Sequence, residues 1–181
     1  MKTTKHIFKF LSLFIGLTLI VSCSSSDDLD DSPLSTKDSY YEITIDGTKY
    51  ENNTVSTSSA TIVKGTDQES QRSFYTIFAY VEDEEVKVNA FPVKIDGELK
   101  PFGRSEDENS AVVVTLNNKV YTSKSGAITI KKDAPYSTVN SGTDQVGKTE
   151  TLLEFSGTFI DSNEVEVSIS GTLYVAKKVD F

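Results

Sequence analysis

Leu153-Glu154-Phe155-Ser156-Gly157-Thr158-Phe159-Ile160-Asp161-Ser162-Asn163-Glu164-Val165-Glu166-Val167-Ser168-Ile169-Ser170-Gly171-Thr172 is the stretch whose pattern decides the fold. Successive side chains on a strand point to opposite faces, so apolar and polar residues alternating on both sides of a polar triplet describe an antiparallel hairpin. With Asp161-Ser162-Asn163 as the loop, Phe159 faces Val165, Gly157 faces Val167, Phe155 faces Ile169 and Leu153 faces Gly171, all on one side. Glu154, Ser156, Thr158, Glu166, Ser168, Ser170 and Thr172 take the other side, toward water. A slip of one residue would scramble both faces, so this register is expected and the sheet is half buried.

Outward from this hairpin the pattern repeats. Asp46-Gly47 is the two-residue turn whose central positions both need positive φ, which sets Ile45 opposite Thr48 and Ile43 opposite Tyr50, with Tyr41, Ile43 and Ile45 on one face. Asn117-Asn118 serves a second hairpin, with Val114 across from Tyr121. Strands are expected near 40–45, 48–52, 57–63, 73–82, 86–91, 111–116, 119–123, 127–132, 150–160 and 164–176, and no helical period is sustained. The fold class is all-β. An antiparallel β-sandwich of about 8–10 strands is preferred over a lipocalin-like closed barrel, which would need strands of matched length. Lys64–Arg72, Asp96–Ser110 and Ala134–Thr149 read as the long loops, where ligand contacts of β domains usually lie.

The N-terminus carries a different message. Lys2, Lys5, His6 and Lys9 precede an apolar stretch from Phe10 to Val21 and the small residue Ser22, the layout of an export signal and too short to span a bilayer. Ile20-Val21-Ser22-Cys23 resembles the lipobox of bacterial lipoproteins. That resemblance implies cleavage between Ser22 and Cys23, lipidation of the Cys23 thiol, and firm anchoring once more than one acyl chain is attached. Ser24 to Ser39 (SSSDDLDDSPLSTKDS) is too polar to build a core and reads as a tether, with a typical span of roughly 20 to 25 Å and a reach of about 50 Å. The expected organisation is a signal peptide over 1–22, the lipidated cysteine and tether over 23–39, and one domain over 40–181.

Composition excludes much chemistry. The chain has a formal net charge of −9 and no basic cluster, so nucleic acid is not an expected partner. Its one Cys is Cys23, its one His is His6 and its one Met is the initiator. Beyond the signal, a Ser-His-Asp triad, a Cys-His pair and an imidazole or thiolate metal site are therefore excluded. No disulfide can form within the domain. Carboxylates, Lys, Tyr and hydroxyls remain, which keeps a carboxylate-dependent polysaccharide hydrolase or an oxygen-ligated calcium site chemically open.

Ser26-Asp27-Asp28, with Asp30 and Asp31, is similar to the acidic export signal of surface lipoproteins of the Bacteroidota. Together with Glu42-Ile43-Thr44-Ile45-Asp46-Gly47-Thr48-Lys49-Tyr50 and the pair Ser156-Gly157-Thr158-Phe159 and Ser170-Gly171-Thr172-Leu173, it resembles the small uncharacterised lipoproteins of Flavobacteria and their relatives. The resemblance implies an outer-membrane, lipid-anchored protein facing the cell exterior, and no particular activity.

Few residues stand out as functional candidates. Tyr75, Phe78 and Tyr80 belong to a strand apolar on both faces, Phe74 to Val81. One face would wall an aromatic ligand site, although a central strand covered on both sides is the simpler account. Asp83 and Glu84, and Asp107 and Glu108, would offer oxygen ligands to calcium, but neither group has the alternating spacing of a calcium loop, and solvated acidic turns are preferred. Glu164 and Glu166 share a face at a spacing near 7 Å, with nothing to separate their acidities. No cofactor is expected. The leading expectation is a non-catalytic binding or accessory module for a glycan, a small ligand or an envelope protein, held to the membrane through Cys23. A hydrolase and a purely structural envelope lipoprotein are the alternatives.

Overall fold

The computed structural model describes residues 38–103, 109–142 and 144–177. The export segment, Cys23 and the tether through residue 37 lie outside the described residues, as do Asp107 and Glu108. Among the described residues there are eleven strands: β1 (Ser39–Ile45), β2 (Thr48–Val55), β3 (Thr57–Thr66), β4 (Ser73–Glu82), β5 (Val86–Phe91), β6 (Val93–Ile95), β7 (Glu98–Leu99), β8 (Ala111–Leu116), β9 (Lys119–Ser141), β10 (Asp144–Ile160) and β11 (Glu166–Val175). All pair antiparallel in one sheet, so the chain is all-β.

The sheet doubles over in a sandwich-like way. One layer runs β2-β1-β11-β10-β9, the other is built from β3, β4, β5 and β8, with β6 and β7 at its end. Two seams join the layers: β8 pairs with β9 through Val114 and Tyr121, and β3 pairs with β10 through Ile62 and Gly147. Strand lengths run from two residues in β7 to 23 in β9, far from a barrel of matched staves.

Alternation fills the space between the layers. Tyr41, Ile43, Ile169, Leu153, Phe155 and Phe159 from the first layer meet Ile77, Val81, Val88 and Val114 from the second in one buried cluster. Phe102 reaches in from the connection before β8 and meets Phe159 edge-on, with ring centroids 5.9 Å apart. Its N–H donates to Gly126 O at 3.0 Å, which pins that connection to the edge of β9.

Both expected two-residue turns form. Asp46, Gly47, Asn117 and Asn118 all have positive φ, and Ile43 pairs with Tyr50 and Val114 with Tyr121. The last hairpin is shifted by two residues from the expected register. Phe159 faces Val167, Gly157 faces Ile169, Phe155 faces Gly171 and Leu153 faces Leu173.

The cause lies in the loop. The Asp161 carboxylate accepts the N–H groups of Asn163 (2.8 Å) and Val165 (3.0 Å), and Glu164 takes a left-handed conformation (φ 61°). Asp161 thereby organises a five-residue loop over 161–165 where three residues were expected. Aspartate bonding its own backbone two residues on is a recurrent competitor to the strand ladder. A shift of two keeps each paired residue on its own face; Glu164 and Val165 leave the strand for the loop, and Val165 is the one apolar residue so exposed. Gly171 still makes room for a large neighbour, since a Cβ there would lie 2.9 Å from the Phe155 ring.

Three other expectations are corrected. Ala134–Thr149 is not a loop: β9 and β10 continue through it as a hairpin, with Val139 opposite Val146. Its Ser, Thr and Asn residues are mostly exposed, because this part of the hairpin extends past the core and holds its shape by backbone pairing. Val93–Ile95 and Glu98–Leu99 form a short hairpin whose turn and second strand occupy the start of the expected loop 96–110. Ser39, assigned to the tether, is the first residue of β1. Its buried hydroxyl lies 2.8 Å from that of Ser58 and accepts the N–H of Ala176 at 3.0 Å.

One carboxylate ties the layers where apolar packing ends. Asp83, at the β4–β5 turn, accepts Tyr41 Oη (2.6 Å) and Asn52 Nδ2 (2.9 Å) from the facing layer, and the N–H groups of Glu85 and Val86 from its own turn. Partial burial works to raise its pKa, but these donors outweigh burial and hold the carboxyl below its usual value.

Replacing Phe159 with Ala should destabilise the domain by about 3–5 kcal/mol, read as a lower urea midpoint, because it opens a cavity against Phe102 and Phe155. Asp83 gives a pH test. A carboxyl whose folded pKa is depressed adds stability above its unfolded pKa, about 3.9, and loses it as pH falls through the lower folded value. The stability gap between wild type and Asp83→Asn should therefore be widest above about pH 4 and narrow below it. A gap independent of pH would contradict this role for Asp83.

Candidate functional site

At the end of the sandwich where β3, β4 and β6 meet the start of β10, the inner face runs out of apolar residues. Cross-strand pairing places Gln145 opposite Lys64, Lys64 opposite Tyr75 and Tyr75 opposite Lys94. Directly paired residues project to one face, so these four form a row across four strands. Ile77, two residues along from Tyr75, is fully buried, which marks the row as the lip of the core.

The row borders a cleft of about 600 Å³, lined also by Gly65, Thr66, Ser73, Phe74 and Gly97. Such a volume lies in the range of small-ligand sites, roughly 300 to 1,000 Å³. At Gly65 a Cβ would come within 2.1 Å of Asp144 Oδ1 and 3.0 Å of the Phe74 ring, so a larger residue there would displace the Asp144 side chain.

Tyr75 is held from two sides. Its hydroxyl donates to the Asp133 carboxylate of β9, and Lys94 Nζ stands 5.0 Å from its ring centre. Burial first, then the bond to Asp133, push the phenol's pKa well above its ordinary value, so Tyr75 is a fixed neutral donor and not a base. Asp96 secures the rim: it accepts Arg72 Nε at 3.0 Å and the Ser73 N–H at 2.9 Å, which together hold its carboxyl below the usual range.

A second hollow, about 350 Å³, lies on the outer face of the first layer, over Glu42, Thr44, Thr129, Glu154, Ser170 and Thr172. Its two carboxylates are each paired with a lysine, Glu42 with Lys49 and Glu154 with Lys131, both at 3.1 Å, and all four side chains are about half exposed. Nothing there desolvates an acid, and aromatic side chains contribute only through Phe155.

Of the aromatic candidates, Tyr75 alone lines the cleft. Phe78 and Tyr80 point to the opposite face of β4, where Phe78 packs edge-on to Phe91 at 5.6 Å and Tyr80 donates to Glu82, its phenol pushed up to about 12 by burial and that bond. The three do not form one wall, because their numbers differ in parity along the strand. Asp83 has both oxygens occupied by Tyr41, Asn52 and backbone N–H groups, and Glu84 is exposed in the same turn. Among the described residues no group of three or more carboxylates is placed to hold a metal ion. Glu164 sits in the last hairpin loop while Glu166 opens β11 and pairs with Lys124.

The three segments singled out as loops converge on the cleft. Lys64, Gly65 and Thr66 come from the first, Gly97 from the second and Gln145 from the third. Lys64, Lys94 and Gln145 were not identified individually. Lys94 had a usable signal: Val93-Lys94-Ile95-Asp96-Gly97 ends in the same Asp-Gly turn as the first hairpin, and both turn residues have positive φ. Gln145 had none, since its partner Lys64 is remote in sequence. No family model matches the chain, and neither a curated protein nor a solved structure gives a match to it.

Proposed function

We propose that this chain is a lipid-anchored lipoprotein of the outer membrane, facing the cell exterior, whose β domain is a non-catalytic binding module acting through the cleft around Tyr75. The cleft carries the reading: an aromatic ring, two ammonium groups, an amide and two hydroxyls converge on a volume suited to a small ligand or a segment of a polymer. Lipid anchoring rests on Ile20-Val21-Ser22-Cys23, and outward placement on the acidic residues behind it.

Binding is favoured over hydrolysis by the state of the carboxylates. A glycosidase needs one carboxylic acid kept protonated beside one ionised partner. Glu42 and Glu154 are half exposed and lysine-paired, and Asp133 at the cleft is engaged by Tyr75.

Cys23→Ala should move the protein out of the membrane fraction, and protease added to intact cells should remove the wild-type domain. Protection until the outer membrane is broken would refute surface display. The lipidated chain in detergent should also gain thermal stability with at least one member of a panel of glycans, lipids and calcium. A flat response across the panel would overturn the binding reading.

A further inference from the structure

We propose that the cleft is selective for saccharides bearing a carboxylate, the uronic-acid class, with Lys64 and Lys94 as the two carboxylate-binding groups on either side of Tyr75. This deepens the binding reading above and depends on it.

The lysines carry the inference. In an acidic chain, most of the described lysines are already paired: those at 49, 87, 119, 124, 131 and 132 each have a carboxylate within 4.0 Å. Among the described residues Lys64 and Lys94 have no such partner, and they occupy the same cross-strand row. Strands are spaced about 4.8 Å apart, so the two backbone positions, separated by β4, lie about 10 Å from each other. That separation matches anionic groups on neighbouring sugar residues better than the oxygens of one compact anion.

Surrounding groups narrow the class further. Tyr75 gives the cleft an aromatic face, the kind against which the C–H face of a pyranose ring packs. Gln145, Thr66 and Ser73 supply donors and acceptors for hydroxyls. Three acidic residues are close by: Asp96 at the rim is engaged by Arg72 and Ser73, and the other two face Tyr75 and Gly65. Asp133 accepts the Tyr75 hydroxyl from across the mouth, and Asp144 lies over Gly65, beside the Phe74 ring. The overall negative charge does not prevent entry, because fields beyond about 8 Å are screened at physiological salt while contacts within the cleft are not.

The test is binding of oligogalacturonate to the full lipidated chain in detergent, compared with the same oligomer after methyl esterification. The acid should bind, and more weakly as salt rises. Lys64→Gln and Lys94→Gln should each weaken it about tenfold, the usual scale for one charge-assisted contact, and Lys94→Arg should restore most of the loss. Unchanged melting temperatures of the free variants separate lost binding from lost folding. Equal binding of the ester, undiminished in the lysine variants, overturns the acid requirement while leaving a neutral-glycan module intact. Competition by inorganic phosphate at concentrations equal to the oligomer also overturns it, in favour of a simple anion site. If the acid does not bind while another panel ligand does, this proposal fails alone. If no ligand binds, both readings fail.

Discussion

The whole architecture hangs on the second edge of one strand. Along its first edge β10 pairs with β9 over its full length, and on the other it is divided: residues 145–148 pair with β3 and residues 151–160 with β11. Because β3 and β11 belong to different layers, β10 is where the sheet turns over on itself. The polar beginning of β10 crosses to the second layer and its apolar end, Leu153, Phe155 and Phe159, stays in the core of the first. Placing Gln145 beside Lys64 is a by-product of this division, so the cleft and the fold share one cause.

With no disulfide to brace the domain, polar contacts secure the places where apolar packing stops. Asp83 ties the β4–β5 turn to Tyr41 and Asn52, Asp161 shapes the last hairpin and pairs with Lys119, and Glu150, buried, takes Tyr174 and Lys132. Each of these carboxylates holds together parts of the chain distant in sequence or closes a turn. Their use as structural acceptors explains why so acidic a chain offers no carboxylate cluster for a metal among its described residues.

What could be read from sequence was whatever is local. Period-two alternation gave the faces, and Asp46-Gly47 and Asn117-Asn118 gave two registers, because such turns leave no freedom in pairing. In the last hairpin the faces were legible and the register was not: alternation is blind to a shift of two, and Asp161 decided the loop length. The Ser- and Thr-rich tip of the β9–β10 hairpin gave no sign of being strand, since residues solvated on both sides carry no apolar period. The candidate site was the least legible part. Tyr75 could be singled out and the Asp96-Gly97 turn marks the hairpin that carries Lys94, but only the assembled sheet sets Lys64 and Lys94 on either side of Tyr75.

The pairing of β1 with β11 joins Tyr40 to Tyr174, so β1 finds its central partner in the described strand farthest from it in sequence. Until then β1 has only β2 beside it, and an isolated two-stranded hairpin is marginal in water. β3 likewise waits for β10. Folding dominated by such distant contacts takes milliseconds to seconds, and here it cannot finish before the last strand is delivered. Loss of β11 would therefore leave β1 and β2 cut off from the rest of the sheet, since β11 is the strand that joins them to β10.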